Sequence, residues 1–206
     1  MKDISKATIK RYPVYLKALR KLKQDGIKRV MSTELSEFVD IKSTTIRRDF
    51  SMLGQFGKQG YGYDVETLID IFSKELGENY DEKMVLIGVG RLGKAILNYN
   101  NWSHVAGEIV CAFDIQASKR SKEDKVNVPV YSMDELEERI PKGCEVAILC
   151  IPSGAQEVVN RLHKIGIKGI VNFTREHFVL PEGMIKEDVD VVSTIQEVVF
   201  EVNSLK

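Results

Sequence analysis

Two uninterrupted apolar stretches, MVLIGV at 84–89 and VAILCI at 146–151, most constrain how this chain can fold. A strand with one wet face alternates apolar and polar residues, whereas an unbroken run of six has to be covered on both faces. Strands covered on both faces belong to a parallel sheet lying between helices. The rest of the chain supplies the partners. Helical spacing is read at 92–99, 133–140 and 155–165, and strand patterns at 84–89, 108–114, 128–131, 145–151, 169–173 and, late in the chain, 190–192. This part is therefore expected to be α/β, with a doubly wound parallel sheet.

The first strand runs straight into Gly88-Val89-Gly90-Arg91-Leu92-Gly93, and 21 residues after Gly93 comes Asp114, at the end of the second strand. A lone GxGxxG says little. Between an apolar strand and a helix, with an acid at this distance, it is the dinucleotide-binding arrangement of a Rossmann-like sheet. Gly88 permits a tight turn, Gly90 lets a pyrophosphate approach the backbone, and Gly93 allows the helix to pack against the strand. The pyrophosphate would rest on the helix N-terminus. Asp114, followed by Ile115, would accept from the ribose hydroxyls and repel a 2′-phosphate, which favours NAD(H) over NADP(H); Lys119 and Arg120 close by weaken that preference. Ligands in such sheets cross the carboxyl ends of the strands, so Ile151, Pro152 and Ser153 after one strand and Asn172 and Phe173 at the end of the next should border the nicotinamide end.

The net charge of the 206 residues is zero, but it is unevenly distributed. Residues 1–63 hold 14 basic and 6 acidic side chains, a net +8, and residues 64–206 hold 16 and 24, a net −8. Such asymmetry suggests a nucleic-acid-binding module joined to a different one. The basic part shows helical spacing of apolar residues over 9–22, with the helix itself starting near Pro13 and Gly26 ending the run. A short helix follows, capped by Ser32 or Thr33, with Leu35, Phe38 and Val39 inward. After Asp40, Ile41 and Lys42 comes a second capped helix from Ser43, with Ile46, Phe50 and Leu53 inward. This is a helix-turn-helix pattern, whose second helix offers its N-terminal side chains to the major groove. Here these are Ser43, Thr44, Thr45, Arg47 and Arg48. The glycine-rich stretch 54–63 reads as a hairpin, the wing of a winged helix, with Lys58 placed to meet phosphate. A helix over 64–76 joins the modules. A plain three-helix bundle with solvated charges is the alternative.

Other classes fit poorly. No apolar run approaches the ~20 residues of a membrane helix, and the N-terminus lacks the apolar stretch of a signal peptide. Cys111, Cys144 and Cys150 form no CxxC and read as reduced, buried thiols of a cytoplasmic protein, with no metal site. His104 in a loop, His163 on the outer turn of a helix and His177 beyond the fifth strand read as surface or packing residues, and no further domain is large enough to hold a substrate. The α/β module reads as one that senses its cofactor and has no catalytic residues.

With both modules in place, the chain resembles the Rex family of redox-sensing transcriptional repressors over essentially its whole length. The likeness rests on the segments 45–51 (TIRRDFS), 54–63 (GQFGKQGYGY), 88–93 (GVGRLG) and 169–173 (GIVNF). The resemblance implies an N-terminal winged-helix domain (1–79), a Rossmann NAD(H)-binding domain (80–192) and a C-terminal helix (193–206) exchanged between the subunits of a homodimer. It implies a repressor, not an enzyme, that binds palindromic double-stranded operator DNA and is released by NADH, following the NADH/NAD+ ratio. It also implies that Arg11 pairs with an aspartate near the partner's C-terminal segment, for which Asp190 stands, and that Tyr99 belongs to the same switch. The exchanged helix would be 194–205, with Ile195, Val198, Val199 and Val202 as its apolar stripe. The sequence departs from the family at Met52-Leu53-Gly54, where many members carry an aromatic before the glycine. Two other readings stay open: a small NAD-dependent oxidoreductase with a DNA-binding arm, and a regulator that senses CoA or another nucleotide.

Overall fold

In the computed structural model the described residues are 4–58, 60–76, 82–98, 107–119 and 126–205; for Lys58 and Lys119 the description covers the backbone alone. The chain divides into two compact units, Met1–Tyr80 and Asp81–Lys206.

The first unit begins with a short helix α1 (Lys6–Ile9) and continues into α2 (Tyr12–Gln24). Pro13 sits in the first turn of α2, where a missing N–H breaks no helical bond. Strand β1 (Arg29–Val30), helices α3 (Ser32–Val39) and α4 (Ser43–Leu53), strands β2 (Gly57–Lys58) and β3 (Gly62–Asp64) and helix α5 (Val65–Glu75) follow. The three strands form an antiparallel sheet in the order β1-β3-β2. Helical spacing along α2 aims Tyr12, Tyr15, Leu16, Leu19 and Leu22 at a core shared with Leu35, Ile46, Phe50, Leu68 and Phe72. Tyr15, Phe50 and Phe72 meet there at ring-centroid distances of 5.3–5.8 Å.

Three expectations need correction in this unit. Ser32 is the first residue of α3, so the cap position falls one residue earlier than expected, on Met31, whose N–H donates to Glu34 Oε2 at 2.6 Å. Likewise Lys42, with no side-chain cap bond, precedes Ser43 at the start of α4. Phe38 is 56% exposed: Leu35 is buried and Val39 packs half-buried against the same core, and the helix ends at Val39, with the left-handed Asp40 as its C-cap.

The second unit runs β4 (Lys83–Ile87), α6 (Arg91–Asn98) and β5 (Glu108–Asp114). A 3-10 turn at Ala117–Lys119 precedes β6 (Val130–Ser132). A second 3-10 turn at Met133–Glu135 leads into α7 (Leu136–Arg139), then β7 (Cys144–Leu149), α8 (Ala155–Ile165), β8 (Gly169–Asn172), β9 (Ile185–Asp188) and α9 (Val191–Ser204). All six strands are parallel, in the order β6-β5-β4-β7-β8-β9. The chain steps outward from β4 to one edge, then returns to β7 on the other side of β4 and proceeds to the opposite edge. The two central strands, β4 and β7, are the apolar stretches from which the fold was read, and Val85, Leu86, Ile87, Ala147 and Leu149 are fully buried. Where two successive crossovers leave in opposite directions, a crevice opens at the carboxyl ends of the strands.

The late strand lies earlier than 190–192. Residues 185–188, with the charged sequence IKED, pair with β8 along one side as an edge strand, and an edge strand needs no apolar alternation. Asp190 instead caps α9, accepting from Val192 N at 2.9 Å and Ser193 N at 3.2 Å. The C-terminal helix accordingly starts at Val191, three residues before the expected start at 194. None of its residues is buried.

Candidate functional site

A cleft of about 630 Å3 occupies the crevice between β4 and β7. Its floor is the glycine-rich turn. Gly88, at φ +94°, takes a left-handed bend that brings it against the Cys150 carbonyl: a Cβ there would stand 2.8 Å from that oxygen. Gly93 carries α6 against the turn so closely that a Cβ would lie 2.0 Å from the Gly88 carbonyl oxygen. Gly90 differs from both, because its missing Cβ faces open space with nothing within 4 Å. A side chain there would project into the open cleft that Gly90 lines. At the N-terminus of α6 the first backbone N–H groups lack intrahelical acceptors, the first turn carries no acid, and Arg91 and Lys94 both line the cleft. Helix N-terminal N–H groups beside two basic side chains form a donor set that suits a phosphate or pyrophosphate.

Asp114, at the end of β5, ties the arrangement together. One carboxylate oxygen accepts from Val89 N at 2.7 Å and the other from Gln116 N at 2.7 Å. The acid therefore braces the glycine turn as well as lining the cleft, and its remaining lone pairs are available to hydroxyl donors. Across the cleft, Ile151, Pro152 and Ser153 follow β7, and Ile115 follows Asp114.

Of the residues expected to hold a cofactor, the cleft brings together Gly88, Val89, Gly90, Arg91, Asp114, Ile115, Ile151, Pro152 and Ser153. Gly93 is buried behind the turn. Leu92, Asn172 and Phe173 line a second hollow of about 670 Å3 at the same edge of the sheet, together with His177 and Asp190. Asn172 is buried there, donating to Asp188 Oδ1 at 2.7 Å and accepting from Thr174 N at 3.0 Å.

Among the lining residues that escaped the sequence reading are Lys94 and Arg161. Lys94 stands one turn after Arg91 on the same helix, and helical spacing could have found it. Arg161 comes from the middle of α8 and is held by Glu137 through two 2.6 Å bonds and by the Met133 carbonyl at 2.7 Å, which pulls the Glu137 carboxyl down to about 2. Cys150 lines the cleft with a thiol that burial pushes up to about 12. Cys111 is buried, its thiol raised to about 11 by burial, and Cys144 is buried and likewise raised.

In the first unit, α4 turns Ile46 and Phe50 inward and leaves Thr44, Arg47 and Arg48 exposed, with Ser43 and Thr45 half-buried. Arg47 donates to Ser32 Oγ at 3.0 Å and lines a groove of about 440 Å3 between α4 and the β2–β3 hairpin. The hairpin's turn is held by Arg29, which donates to the carbonyls of Tyr61 at 2.9 Å and Gly62 at 3.3 Å. Gly60 and Gly62, at φ +79° and +66°, supply the left-handed backbone that the turn requires. The Lys58 side chain lies outside the described residues.

On its inner face α4 carries Asp49, which the sequence reading passed over. The carboxylate is 1% exposed and takes Arg11 Nε at 2.6 Å, Arg11 Nη2 at 2.7 Å and the Tyr15 hydroxyl at 2.7 Å. Burial alone pushes this carboxyl up. Hydrogen bonds from Arg11 and Tyr15 and the Arg11 charge outweigh that and hold it below the usual carboxylate range. The Tyr15 hydroxyl is raised, by burial first and then by its bond to Asp49. Of the residues expected at a subunit switch, then, Arg11 is bonded to Asp49, Asp190 caps α9, and Tyr99 lies outside the described residues, as do His104 and Arg120.

Two family models match the chain: a CoA binding domain over residues 79–176 and a putative DNA-binding protein N-terminus over residues 3–51. Among similar proteins, redox-sensing transcriptional repressor Rex 1 of Enterococcus faecalis is 45% identical over 209 residues, covering 97% of this chain and 94% of its own. Redox-sensing transcriptional repressor Rex of Bacillus subtilis is 43% identical over 198 residues, covering 96% and 92%. Among solved structures, that of RSP in complex with beta-NAD+ and operator DNA superposes with a TM-score of 0.88 at 34% identity, covering 98% of this chain and 93% of RSP. RSP in complex with beta-NADH gives 0.86 at 32%, covering 99% and 96%. At such identity over nearly the full length of both chains, the chain belongs to the Rex family of redox-sensing transcriptional repressors.

Proposed function

We propose that this chain is a redox-sensing transcriptional repressor, which binds palindromic operator DNA as a homodimer and is released by NADH as the NADH/NAD+ ratio rises. The observation that carries this reading is the union in one chain of an exposed Thr44–Arg47–Arg48 face on α4 with an open cleft, lined by Gly90, in a dinucleotide-type sheet. RSP, superposable on it, has been crystallised both with beta-NAD+ and operator DNA and with beta-NADH.

In this reading Arg91, Lys94 and the backbone of the glycine turn hold the pyrophosphate, and Asp114 receives the ribose hydroxyls. Leu92, Asn172 and Phe173 act from the adjoining hollow. The reduced and oxidised cofactors differ by one hydride, which leaves the nicotinamide neutral or cationic. Ile151 and Pro152 present apolar surface without a counter-charge, and burying a cation against such surface costs more than burying a neutral ring. Tighter binding of the reduced form then shifts the population toward the conformer that retains it. The repressor dissociates when that conformer alters the spacing of the two recognition helices, which has to match half-sites about one helical turn apart. Ser43, Thr44, Thr45, Arg47, Arg48 and Lys58 meet the DNA. Arg11, Tyr99 and Asp190 form the switch between subunits. Residues 1–79, 80–192 and 193–206 act as the DNA-binding, cofactor-binding and dimerising parts. The exposed Val191, Ile195, Val198 and Val199 of α9 support the last assignment.

The protein acts without catalysis in this reading. The relatives at 43–45% identity carry the name of transcriptional repressors, which supports this. The proposed place of action is the cytoplasm, which follows from a repressor's need to reach its operator. No described helix is long and apolar enough to cross a membrane. A gel shift on a palindromic probe, titrated with NADH and separately with NAD+, tests the proposal. NADH is expected to release the probe at concentrations where NAD+ does not, and equal effects of the two would overturn it. The match of residues 79–176 to a CoA binding domain favours one second reading, a CoA-sensing regulator. Thermal shifts with NADH, NADPH and an acyl-CoA separate the two.

A further inference from the structure

The buried carboxylate of Asp49 sits in an unusual place for an ion. It projects from α4 beside Ile46 and Phe50, where an apolar side chain would fill the core without desolvation, and buried ion pairs are often no more stable than the apolar residues that could replace them. An ion pair does provide direction. The Arg11 guanidinium forks onto both carboxylate oxygens, at 2.6 Å and 2.7 Å, and this planar two-bond geometry fixes angle as well as distance. Tyr15, fully buried, adds a third bond at 2.7 Å, and Thr8, 3% exposed, adds a long one at 3.4 Å while accepting from Arg11 Nη2 at 3.1 Å.

All of these donors come from one side. Thr8 belongs to α1, Arg11 to the turn before α2 and Tyr15 to the first turns of α2, so the carboxylate ties α4 to the α1–α2 layer at one point. Elsewhere α4 packs chiefly along α3, and towards α2 its directional contacts are this network and the edge-to-face contact of Phe50 with Tyr15, within a core that Ile46 also enters. Asp49 directly follows Arg48 and lies four residues after Thr45, in the same two turns that present the DNA-facing side chains. An anchor there sets how far and at what tilt those side chains project. Apolar contacts alone would let the helix rock about its axis, because they have little directional preference.

We propose that Asp49 is a positioning residue for sequence recognition: through Arg11, Tyr15 and Thr8 it sets the orientation of α4, and with it the preference for one DNA sequence over others. The inference rests on the reading of the chain as a DNA-binding repressor. Phosphate attraction, which depends on the net charge of the module, is sequence-independent and tolerates a tilted helix, whereas contacts to base edges do not.

The test uses the full chain. Wild-type protein selects a duplex from a random-sequence pool, and affinities for that duplex and for a scrambled one are measured against salt concentration for wild type, Asp49→Asn and Tyr15→Phe. For Asp49→Asn the selected-duplex affinity is expected to fall at least about tenfold, with the scrambled-duplex affinity and salt slope within about twofold of wild type. Tyr15→Phe, which removes one hydroxyl and keeps the ion pair, is expected to show a loss of about threefold, again confined to the selected duplex. The scrambled duplex reports the amount of folded, basic module, so unfolding would lower both affinities together. Parallel losses in a variant that melts like wild type, or no loss, would overturn the inference. If Asp49→Asn does not fold, Tyr15→Phe decides alone, and an unchanged ratio for it counts against the proposal. Failure of the wild-type protein to enrich any sequence would instead overturn the reading as a DNA-binding repressor, and the inference with it.

Discussion

Replacing Gly93 by alanine tests the glycine turn where its geometry is tightest. The added Cβ would stand 2.0 Å from the Gly88 carbonyl oxygen, and Cβ atoms do not approach other heavy atoms closer than 3.0 Å. The helix and the turn therefore have to separate by about 1 Å, and because the obstructing atom is backbone, no side-chain rotation relieves the contact. Overpacking of this kind costs about 1–3 kcal/mol, which for a unit of this size lowers Tm by roughly 4–12 °C. The same displacement carries the N-terminus of α6 away from the phosphate it would hold, so NADH affinity should fall at least about tenfold, or ~1.4 kcal/mol. Gly90→Ala is the matched control. Its Cβ meets nothing within 4 Å, and its φ is not in the left-handed region, so the fold accepts the substitution and Tm should stay within about 2 °C of wild type or rise slightly. The methyl group, however, projects into the cleft, and NADH affinity should again drop at least about tenfold. Calorimetric melts without ligand and isothermal titration with NADH read the two effects separately. A Gly93→Ala variant that melts and binds like wild type would refute the packing argument. A Gly90→Ala variant with wild-type NADH affinity would show that the ligand does not approach this loop.

Three further outcomes are expected. Asp49 titrates lower in the folded chain than in the unfolded one, so its stabilisation is complete above the unfolded carboxylate pKa of about 3.9 and disappears as pH falls through the folded value; the drop in Tm between pH 5 and pH 3 should shrink in Asp49→Asn, and equal drops would refute this. Arg48→Ala should weaken binding to all duplexes alike and reduce the slope of log K against log salt by about 1, as loss of one phosphate contact does; a loss confined to one sequence would assign Arg48 to a base instead. Val198→Asp on the exposed face of α9 should convert a dimer to monomers in sedimentation analysis while leaving Asp190 to cap the helix; an undiminished dimer would place the subunit contact elsewhere.

The fold class was legible because its signal is local. Six-residue apolar runs at 84–89 and 146–151 specify strands buried on both faces wherever they sit, and a glycine turn followed at the right distance by Asp114 specifies strand, turn and helix together. The helix pair 32–39 and 43–53 was legible for the same reason, its periodicity being a property of neighbours in sequence. What the sequence by itself could not determine depends on which distant residues meet. Asp49 reads as one more surface charge among Arg47 and Arg48 until Arg11, 38 residues earlier, is brought onto it. The edge strand 185–188 has no apolar pattern because one of its sides has no partner strand to bury, and residues 190–192 look like a strand until the Asp190 carboxylate is seen to close a helix. Phe38 has helical spacing for the core, yet packing turns Leu35 and Val39 of α3 to the core and leaves Phe38 exposed. Asp114 was expected to face a ribose, and only the folded turn shows both of its oxygens already bracing Val89 and Gln116. Spacing determines the elements, because backbone periodicity is local. The division of Leu92, Asn172 and Phe173 from the main cleft, the burial of a carboxylate and the exposure of α9 follow from packing, which is decided by the whole chain.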